Sequence, residues 1–258
     1  MNDLVWKTVT LEDDVIASHR IGPLSIYLKK VFNDIWVAAE RDESGNHDPL
    51  PVPENPDWMR TALPKAYHEY TFTPVFPDRP VVVNTEYSYR IYPGGNARVY
   101  CRVPVFVRIS PVDKPDLVIA ELPTLILSGT WFGIFTEGEH SYALSSTLRR
   151  VITSDLHEPH LVICPMVIHN TSESDLKFEK VCLRSERLSI YEKDGVMWAD
   201  ETKITHHSGE AHSDIEMKGV LPPEAEGGKL LSGPRLNVKK SLAVRTFKLL
   251  RDFGIAGH

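Results

Sequence analysis

The feature that most constrains this fold is an alternation of apolar and polar residues along positions 81–109. Val83, Tyr87 and Ile91 alternate with polar residues, and a matching pattern resumes after the sequence Pro-Gly-Gly-Asn. Such an alternation is typical of a β-strand that buries one face and exposes the other. The sequence therefore predicts two strands whose apolar faces meet the core.

These two strands are predicted to form a hairpin with a defined register. If the apolar residues of the two strands are to share one face, Ile91 must lie opposite Val99 and Val83 opposite Val107. This register leaves residues 94–96 as the loop. A slip of one residue would turn the apolar side chains to solvent. The register also gathers a set of polar side chains on the outer face as a candidate partner surface: Arg90, Tyr100, Arg102 and Arg108.

Further strands are predicted along the rest of the chain. Residues 24–40 are expected to form a hairpin that turns at Asn33-Asp34, and Asp194-Gly195 marks a second tight turn. The run that begins at Leu117 is apolar at nearly every position, which favours a central strand covered on both faces. Prolines in residues 41–64 predict a long loop, a type of segment that can serve as a functional flap.

Two segments are expected to be helical. Residues 139–150 place Tyr142 and Leu148 at spacings compatible with a short helix, and residues 236–253 carry an amphipathic pattern that Gly254 would end. The expected fold class is all-β and mainly antiparallel, with β-sandwich-like sheets and these helices. We expect one domain over residues 1–258; the alternative is two closely packed β halves, 1–130 and 131–258.

Charge and composition argue against several classes of partner. A formal net charge of −6 gives no general electrostatic attraction for nucleic acid or anionic lipid. The amino terminus lacks a signal-peptide pattern, and no apolar run approaches the roughly 18 residues that span a bilayer. We therefore expect a cytoplasmic protein without membrane insertion. Cys101, Cys164 and Cys182 show no CxxC spacing and are expected to be reduced and buried.

One part of the chain resembles a known family. The sequences WFGIFTEGEHSYALSSTLRRVI and HLVICPMVIHNTSESDLKFEKVCL are similar to the uncharacterised prokaryotic proteins called DUF432, over residues 130–198. The resemblance is carried by Gly133, Glu137, Gly138, Glu139, Tyr142, Leu144, Arg149, Pro165, Asn170 and Ser172. It implies a cytosolic protein of archaeal or bacterial type and assigns no catalytic residue.

Two clusters could supply acid–base chemistry. Glu137, Glu139 and His140 lie together, although acidic residues at this point would also suit the start of a helix. A second group surrounds Cys164 and could supply a base for a thiol nucleophile: His157, Glu158, His160 and His169. The apolar neighbours of Cys164 predict a buried thiol with a raised pKa instead.

Four residues have the side chains of a metal site. His206, His207, His212 and Asp214 carry the imidazole and carboxylate groups that zinc and related ions prefer. On a strand, however, His206 and His207 would point to opposite faces, which favours an ordinary solvated segment. No cofactor is predicted, and a divalent metal is the alternative.

No catalytic motif dominates this sequence. We expect a non-enzymatic β-sandwich module for binding or assembly, forming a homo-oligomer or contacting a protein partner. The alternative is a small-molecule enzyme, a metal-assisted or sugar-directed hydrolase that uses the His206–Asp214 segment with Glu137 or Glu139. Convergence of these groups on one cavity would favour the enzyme.

Overall fold

A computed structural model describes residues 5–42, 51–153, 157–207, 212–217, 219–236 and 242–249. Strands dominate these residues, with short 3-10 helices at Ser185–Arg187 and Pro223–Ala225. The strands are β1 (Thr8–Thr10), β2 (Ile16–Ile21), β3 (Leu24–Val31), β4 (Asp34–Arg41), β5 (Met59–Ala62), β6 (Glu69–Val75), β7 (Val81–Ile91), β8 (Asn96–Pro104), β9 (Phe106–Pro111), β10 (Ala120–Pro123), β11 (Ser128–Gly133), β12 (Gly138–Leu148), β13 (Leu161–Asn170), β14 (Leu176–Leu183), β15 (Ile190–Lys193), β16 (Val196–Ala199), β17 (Thr202–His206), β18 (His212–Met217), β19 (Lys229–Ser232), β20 (Leu242–Arg245) and β21 (Phe247–Leu249).

The strands form four sheets. Two sheets have four strands, ordered β1-β6-β9-β10 and β2-β3-β4-β5. A five-stranded sheet has the order β11-β12-β7-β14-β21, and an eight-stranded sheet has β13 near its centre. Most pairs are antiparallel, and the exceptions are β12 with β7 and β13 with β16 and β17. The all-β, mainly antiparallel fold class is confirmed.

Apolar side chains collect in two main cores. The first lies with the two four-stranded sheets and includes Ile26, Phe72 and Ile109. The second lies with the five- and eight-stranded sheets and includes Val99 and Phe178. The division of the chain into one domain or two halves stays a prediction. Within the described residues, no helix is long and apolar enough to cross a bilayer.

The predicted hairpin over residues 81–109 is wrong in its pairing. β7 and β8 both exist and both turn apolar residues inward, but β7 pairs with β12 and β14, whereas β8 pairs with β13. The connection therefore carries the chain from one sheet to the other. Alternation identifies the face that meets the core, and it does not distinguish a neighbour within a sheet from a strand across the core.

The polar outer face that the hairpin predicted does not exist as one surface, because its residues belong to different sheets. Arg90 pairs with Asp175, while Tyr100 is buried beneath Glu224, to which its hydroxyl donates at 2.6 Å. Arg108 pairs with Glu121 at 2.7 Å. The polar residues lie on different sheets and do not form one surface.

Both other hairpins are confirmed. β3 and β4 pair with Val31 opposite Asp34, so the loop is Phe32-Asn33, one residue earlier than expected. β15 and β16 flank Asp194-Gly195, whose φ angles of 53° and 80° are those of a tight primed turn. Gly195 adopts this conformation readily because it has no Cβ.

Both predicted helices are absent from the described residues. Residues 139–150 lie mostly in strand β12, which pairs with β11 on one edge and β7 on the other. Of the segment 236–253, residues 242–249 contribute β20 and β21, and residues 237–241 and 250–253 lie outside the described residues. Pairing with β14 and β18 satisfies the backbone of these short strands, and Phe247 enters the second core. Tertiary pairing has overridden the helical spacing.

Two further predictions are corrected. The apolar run from Leu117 forms β10, the edge strand of its sheet, and leaves Ile126 exposed before β11 begins. The proline-rich segment 41–64 contains strand β5, which pairs with β4. Residues 43–50 of that segment lie outside the described residues, and its role as a flap stays a prediction.

Candidate binding site

A cleft opens where β12 leaves the five-stranded sheet. β12 follows β7 until Leu148 lies opposite Thr85. The next residue, Arg149, bridges instead to Tyr100 in the eight-stranded sheet, through backbone hydrogen bonds of 2.8 and 2.9 Å. β7 itself continues to Ile91. Beyond Thr85, no other strand of the described ranges takes the place of β12 beside β7.

The cleft has a volume of about 620 Å³, which falls within the usual range for ligand sites. Two segments of the chain form its walls. One is the end of β7, and the other is the chain that departs from β12. The lining residues are Glu86, Tyr87, Ser88, Tyr89, Arg90, Leu148, Arg149, Arg150, Val151 and Thr153.

A bulge in β7 shapes the first wall. Tyr89 lies opposite Phe178 of β14, but Asn84 already lies opposite Lys180, so β7 has extra residues between these points. The Thr85 hydroxyl donates to the Glu179 carbonyl at 3.2 Å within this irregular stretch. Bulges bend a strand and redirect its side chains. Here the bulge coincides with the part of β7 that faces the cleft.

The cleft combines positive charge with aromatic surface. Arg149 and Arg150 bring positive charge to one wall, and Tyr87 is 78% exposed on the other. Tyr89 stacks on Phe178 with ring centroids 5.4 Å apart. Burial raises the pKa of Tyr89, against the opposing effect of Arg150. No His, Cys or Asp occurs among the described lining residues, which contribute charge, hydroxyl groups and aromatic surface.

The three acid–base candidates lie away from this cleft, around the β11–β12 turn. Glu137 closes the turn by exchanging backbone hydrogen bonds with Ile134. The Glu139 carboxylate forms an ion pair with the buried Arg184. His140 packs edge-to-face on Trp131, with ring centroids 5.2 Å apart. Each of the three has a contact within its own hairpin or with the adjacent chain.

The metal candidates lie on β17 and β18 of the eight-stranded sheet. His206 is buried, and burial, followed by the nearby His207, lowers its pKa. His207 is exposed, with Nε2 at 3.0 Å from Asp214 Oδ2. The His212 side chain lies outside what the structure describes. Among the described residues, no group of three or more His, Cys, Asp or Glu side chains is placed to hold a metal ion.

Sequence reasoning missed a contact of His207 with Thr171. Thr171 Oγ1 lies 3.0 Å from His207 Nδ1, so Thr171, His207 and Asp214 combine residue types found in acyl-transfer triads. However, the same hydroxyl donates to the His206 carbonyl at 2.7 Å. Because a hydroxyl has one hydrogen, Thr171 accepts from His207 and is not poised as a nucleophile. No motif in the sequence signals this contact.

The group around Cys164 is also separated by the structure. Cys164 is a buried free thiol directly opposite Cys101, and its pKa is raised by burial and by Cys101. His160 is buried against the turn at Gly22, and His169 lies opposite Asn96. His157 is exposed and Glu158 half-buried. The predicted burial of all three cysteines is confirmed, and they are free of disulfide bonds; their reduced state stays a prediction.

Residues that carry the family resemblance stabilise the ends of the strands beside the cleft. Asn170 Nδ2 donates to the carbonyls of Ile91 at 2.9 Å and Ser174 at 2.8 Å, and Asn170 Oδ1 accepts from the backbone and hydroxyl of Ser172. Asn170 thereby ties the end of β13 to the end of β7. Arg149 is the residue at which the chain leaves the five-stranded sheet.

Comparison with known proteins extends this resemblance. The model of a family of proteins of unknown function, DUF432, matches residues 5–251. The chain belongs to the DUF432 family. The DUF432 match extends on both sides of residues 130–198, the stretch that carries the resemblance in the sequence, and it covers both walls of the cleft. No curated protein and no solved structure matches the chain significantly.

Proposed function

We propose that this DUF432 protein is a non-enzymatic binding or assembly module, that it works in the cytoplasm as a homo-oligomer, and that the cleft is its contact surface. The observation that carries the proposal is the departure of β12 at Leu148, which leaves the end of β7 beside Arg149 and Arg150. A polypeptide segment can enter an open strand end of this kind by extending the sheet.

Charge and aromatic surface favour an acidic polypeptide as the occupant. Arg150 has no ion pair within the described residues, and it lies in a chain whose net charge is −6. Carboxylates are strong partners for a guanidinium group. Exposed Tyr87 adds the amphipathic surface that is enriched at protein interfaces. The buried, unpaired thiols suit a reducing compartment.

Sedimentation and polypeptide binding test this function. We expect association of the wild-type chain to rise with concentration between about 1 and 100 μM, by mass action. We also expect fluorescein-labelled poly-L-glutamate to bind, as measured by anisotropy. Arg150→Glu should weaken both by about tenfold or more, since it places a carboxylate in the cleft.

Lys114→Glu is the matched control because Lys114 is exposed between β9 and β10, outside the cleft. It makes the same charge change and should leave both measurements near the wild-type values. A strictly monomeric protein that also fails to bind poly-L-glutamate would contradict the proposal.

A further inference from the structure

The turn between β11 and β12 exposes an apolar tip, formed by Ile134 and Phe135. Phe135 is 96% exposed and Ile134 is 47% exposed, and neighbouring exposed apolar side chains often mark an interaction site. Glu137 is exposed beside them. Among the residues that the structure describes, none forms an ion pair with Glu137. The turn therefore offers an aromatic ring and a carboxylate to a partner.

The tip is held in one shape by contacts within its own hairpin. Ile134 and Glu137 exchange backbone hydrogen bonds of 3.1 and 3.2 Å, and Trp131 Nε1 donates to the Ile134 carbonyl at 3.0 Å. The Trp131 indole packs so closely on Gly138 that a Cβ atom there would lie 2.3 Å from Nε1. A segment that is already ordered loses little conformational entropy when it binds. The tip is thus suited to docking as a unit.

We infer that the tip docks into the cleft of a second copy of this chain. This inference rests on the proposed assembly function and specifies its contact. The Phe135 ring would cover Tyr87 and Val151, which are 78% and 66% exposed on the walls of the cleft. A cleft of about 620 Å³ is of the size that encloses a drug-sized ligand, and it can take the side chains of Phe135 and Glu137 together.

The charges of the two surfaces are complementary. Docking of the tip brings the Glu137 carboxylate to the Arg150 guanidinium, and neither group has an ion-pair partner within the described part of its own chain. A guanidinium and a carboxylate form strong, charge-assisted hydrogen bonds. Because the whole chain has a net charge of −6, two copies repel each other at long range, and a local pair of opposite charges selects this contact.

The position of the tip requires that a different copy supplies it. β12 begins directly after the turn and ends at Leu148, which lines the cleft. The strand has 11 residues, so it separates the tip from the cleft of the same chain by roughly 30 Å. Each copy therefore presents a tip at one end of β12 and a cleft at the other. Such a head-to-tail contact continues beyond a dimer, into a ring or a filament.

Mixing two variants is the first test. Phe135→Ala removes the ring of the tip and Arg150→Glu reverses the charge of the cleft, so each variant alone should associate at least about tenfold more weakly than wild type. In a mixture, the intact tip of Arg150→Glu can enter the intact cleft of Phe135→Ala. The two variants should form a one-to-one dimer with an affinity within a few-fold of the wild-type contact.

The dimer should not grow further, because its two remaining surfaces each carry a substitution. Sedimentation velocity with one variant fluorescently labelled measures this stoichiometry. Phe32→Ala is the matched control for the tip, since Phe32 is 85% exposed at the β3–β4 turn; it should associate as wild type does. A mixture of Phe135→Ala and Arg150→Glu that stays monomeric would overturn the inference.

Exchange of the two charges is the second test. Glu137→Arg places like charges at the contact and should raise its dissociation constant by about tenfold or more. The double variant Glu137→Arg, Arg150→Glu restores opposite charges between copies and should recover association to within a few-fold of wild type. Weakening in the double variant that equals or exceeds that in Glu137→Arg would argue against this pair of residues and overturn the contact.

The outcomes separate this inference from the proposed function. Association that is unchanged by Phe135→Ala and Glu137→Arg but weakened by Arg150→Glu would overturn docking of the tip, while the cleft would remain the contact surface. A monomer that binds poly-L-glutamate would also overturn the inference and leave a binding module for other acidic chains. A monomer that does not bind poly-L-glutamate would contradict the proposed function itself.

Discussion

At the scale of single residues, His206 shows how strand geometry separates neighbouring side chains. Its ring is buried beside Phe247, with centroids 6.2 Å apart, while His207 points to the surface. This alternation was expected from the sequence. Burial disfavours the charged imidazolium, so the pKa of His206 lies below 6.5 in the folded protein.

A pH dependence of stability follows from His206. The pKa of His206 is lower in the folded protein than in the unfolded chain, so the unfolded chain binds a proton more readily. The free energy of unfolding is therefore unaffected by this residue above about pH 6.5 and decreases as the pH falls below that value. We expect His206→Asn to show a smaller loss of unfolding free energy than wild type between about pH 7.5 and 5.5. Urea unfolding at each pH measures this difference.

The matched control is His68→Asn, because His68 is exposed. It should keep the wild-type pH dependence. His19 also has a lowered pKa, chiefly from burial, so His206→Asn should reduce the effect without abolishing it. An unchanged pH dependence in His206→Asn would contradict the buried position of this ring.

At the scale of elements, the β2–β3 turn links two parts of the fold. Gly22 has a φ of 56°, and a Cβ atom there would lie 2.2 Å from His160 Nδ1. The backbone of His160 in turn accepts a hydrogen bond from Val105 at 3.0 Å. Only glycine allows this turn to pack so closely on the chain before β13.

Gly22→Ala is therefore expected to be destabilising by about 2 kcal/mol or more, from backbone strain and the contact with His160 together. Gly94→Ala is the matched control: Gly94 has a φ of 72°, and nothing lies within 4 Å of the position that a Cβ atom would take there. Gly94→Ala should lower the free energy of unfolding only by the backbone strain, about 1 kcal/mol. Thermal and urea unfolding measure both values.

Combining Gly22→Ala with His160→Ala separates the two contributions. Removal of the imidazole should make the alanine at position 22 less costly than it is in the presence of His160, a non-additive result typical of residues in contact. Strictly additive effects of the two substitutions would contradict the close packing of this turn.

The elements also show which features a sequence can predict. The hairpin turn at Asp194-Gly195 was predicted because its dihedral angles depend on those two residues alone. The strand pairing of β7 was not predicted, because its neighbours β12 and β14 come from distant parts of the chain. The cleft was missed for the same reason, although Arg149 and Tyr87 each stand out in the sequence pattern.

At the scale of the whole molecule, Arg235 ties the segment after β19 to strand β10 and to the chain after β6. Arg235 Nη2 lies 2.7 Å from Glu121 Oε2, and Arg235 Nε also donates to the Phe76 carbonyl. Burial tends to raise the pKa of Glu121, but its ion pairs with Arg235 and Arg108 hold that pKa below its usual value. This carboxylate stabilises the fold above about pH 4.5, and the contribution is lost as the pH falls below that value.

Arg235→Ala should lower the free energy of unfolding by about 1–3 kcal/mol at neutral pH, because it leaves the half-buried Glu121 carboxylate with one partner fewer and removes the donor to the Phe76 carbonyl. Arg60→Ala is the matched control, since the Arg60–Asp34 pair is exposed on its arginine side. That change should cost under about 1 kcal/mol. Urea unfolding measures both values. Equal losses of unfolding free energy in the two variants would contradict a greater stabilising effect of Arg235.

The sequence by itself determined where many strands lie and which of their faces meet the core, together with the Asp194-Gly195 turn and the burial of the cysteines. These properties depend on side chains close together in the chain, through the alternation of a strand and the dihedral preferences of a turn. Only the tertiary structure decided that β7 and β8 belong to different sheets, that residues 139–148 lie in a strand, and that the chain leaves β7 after Leu148. Every residue other than proline offers the same backbone donor and acceptor, so the choice between possible strand neighbours depends on how the whole chain packs.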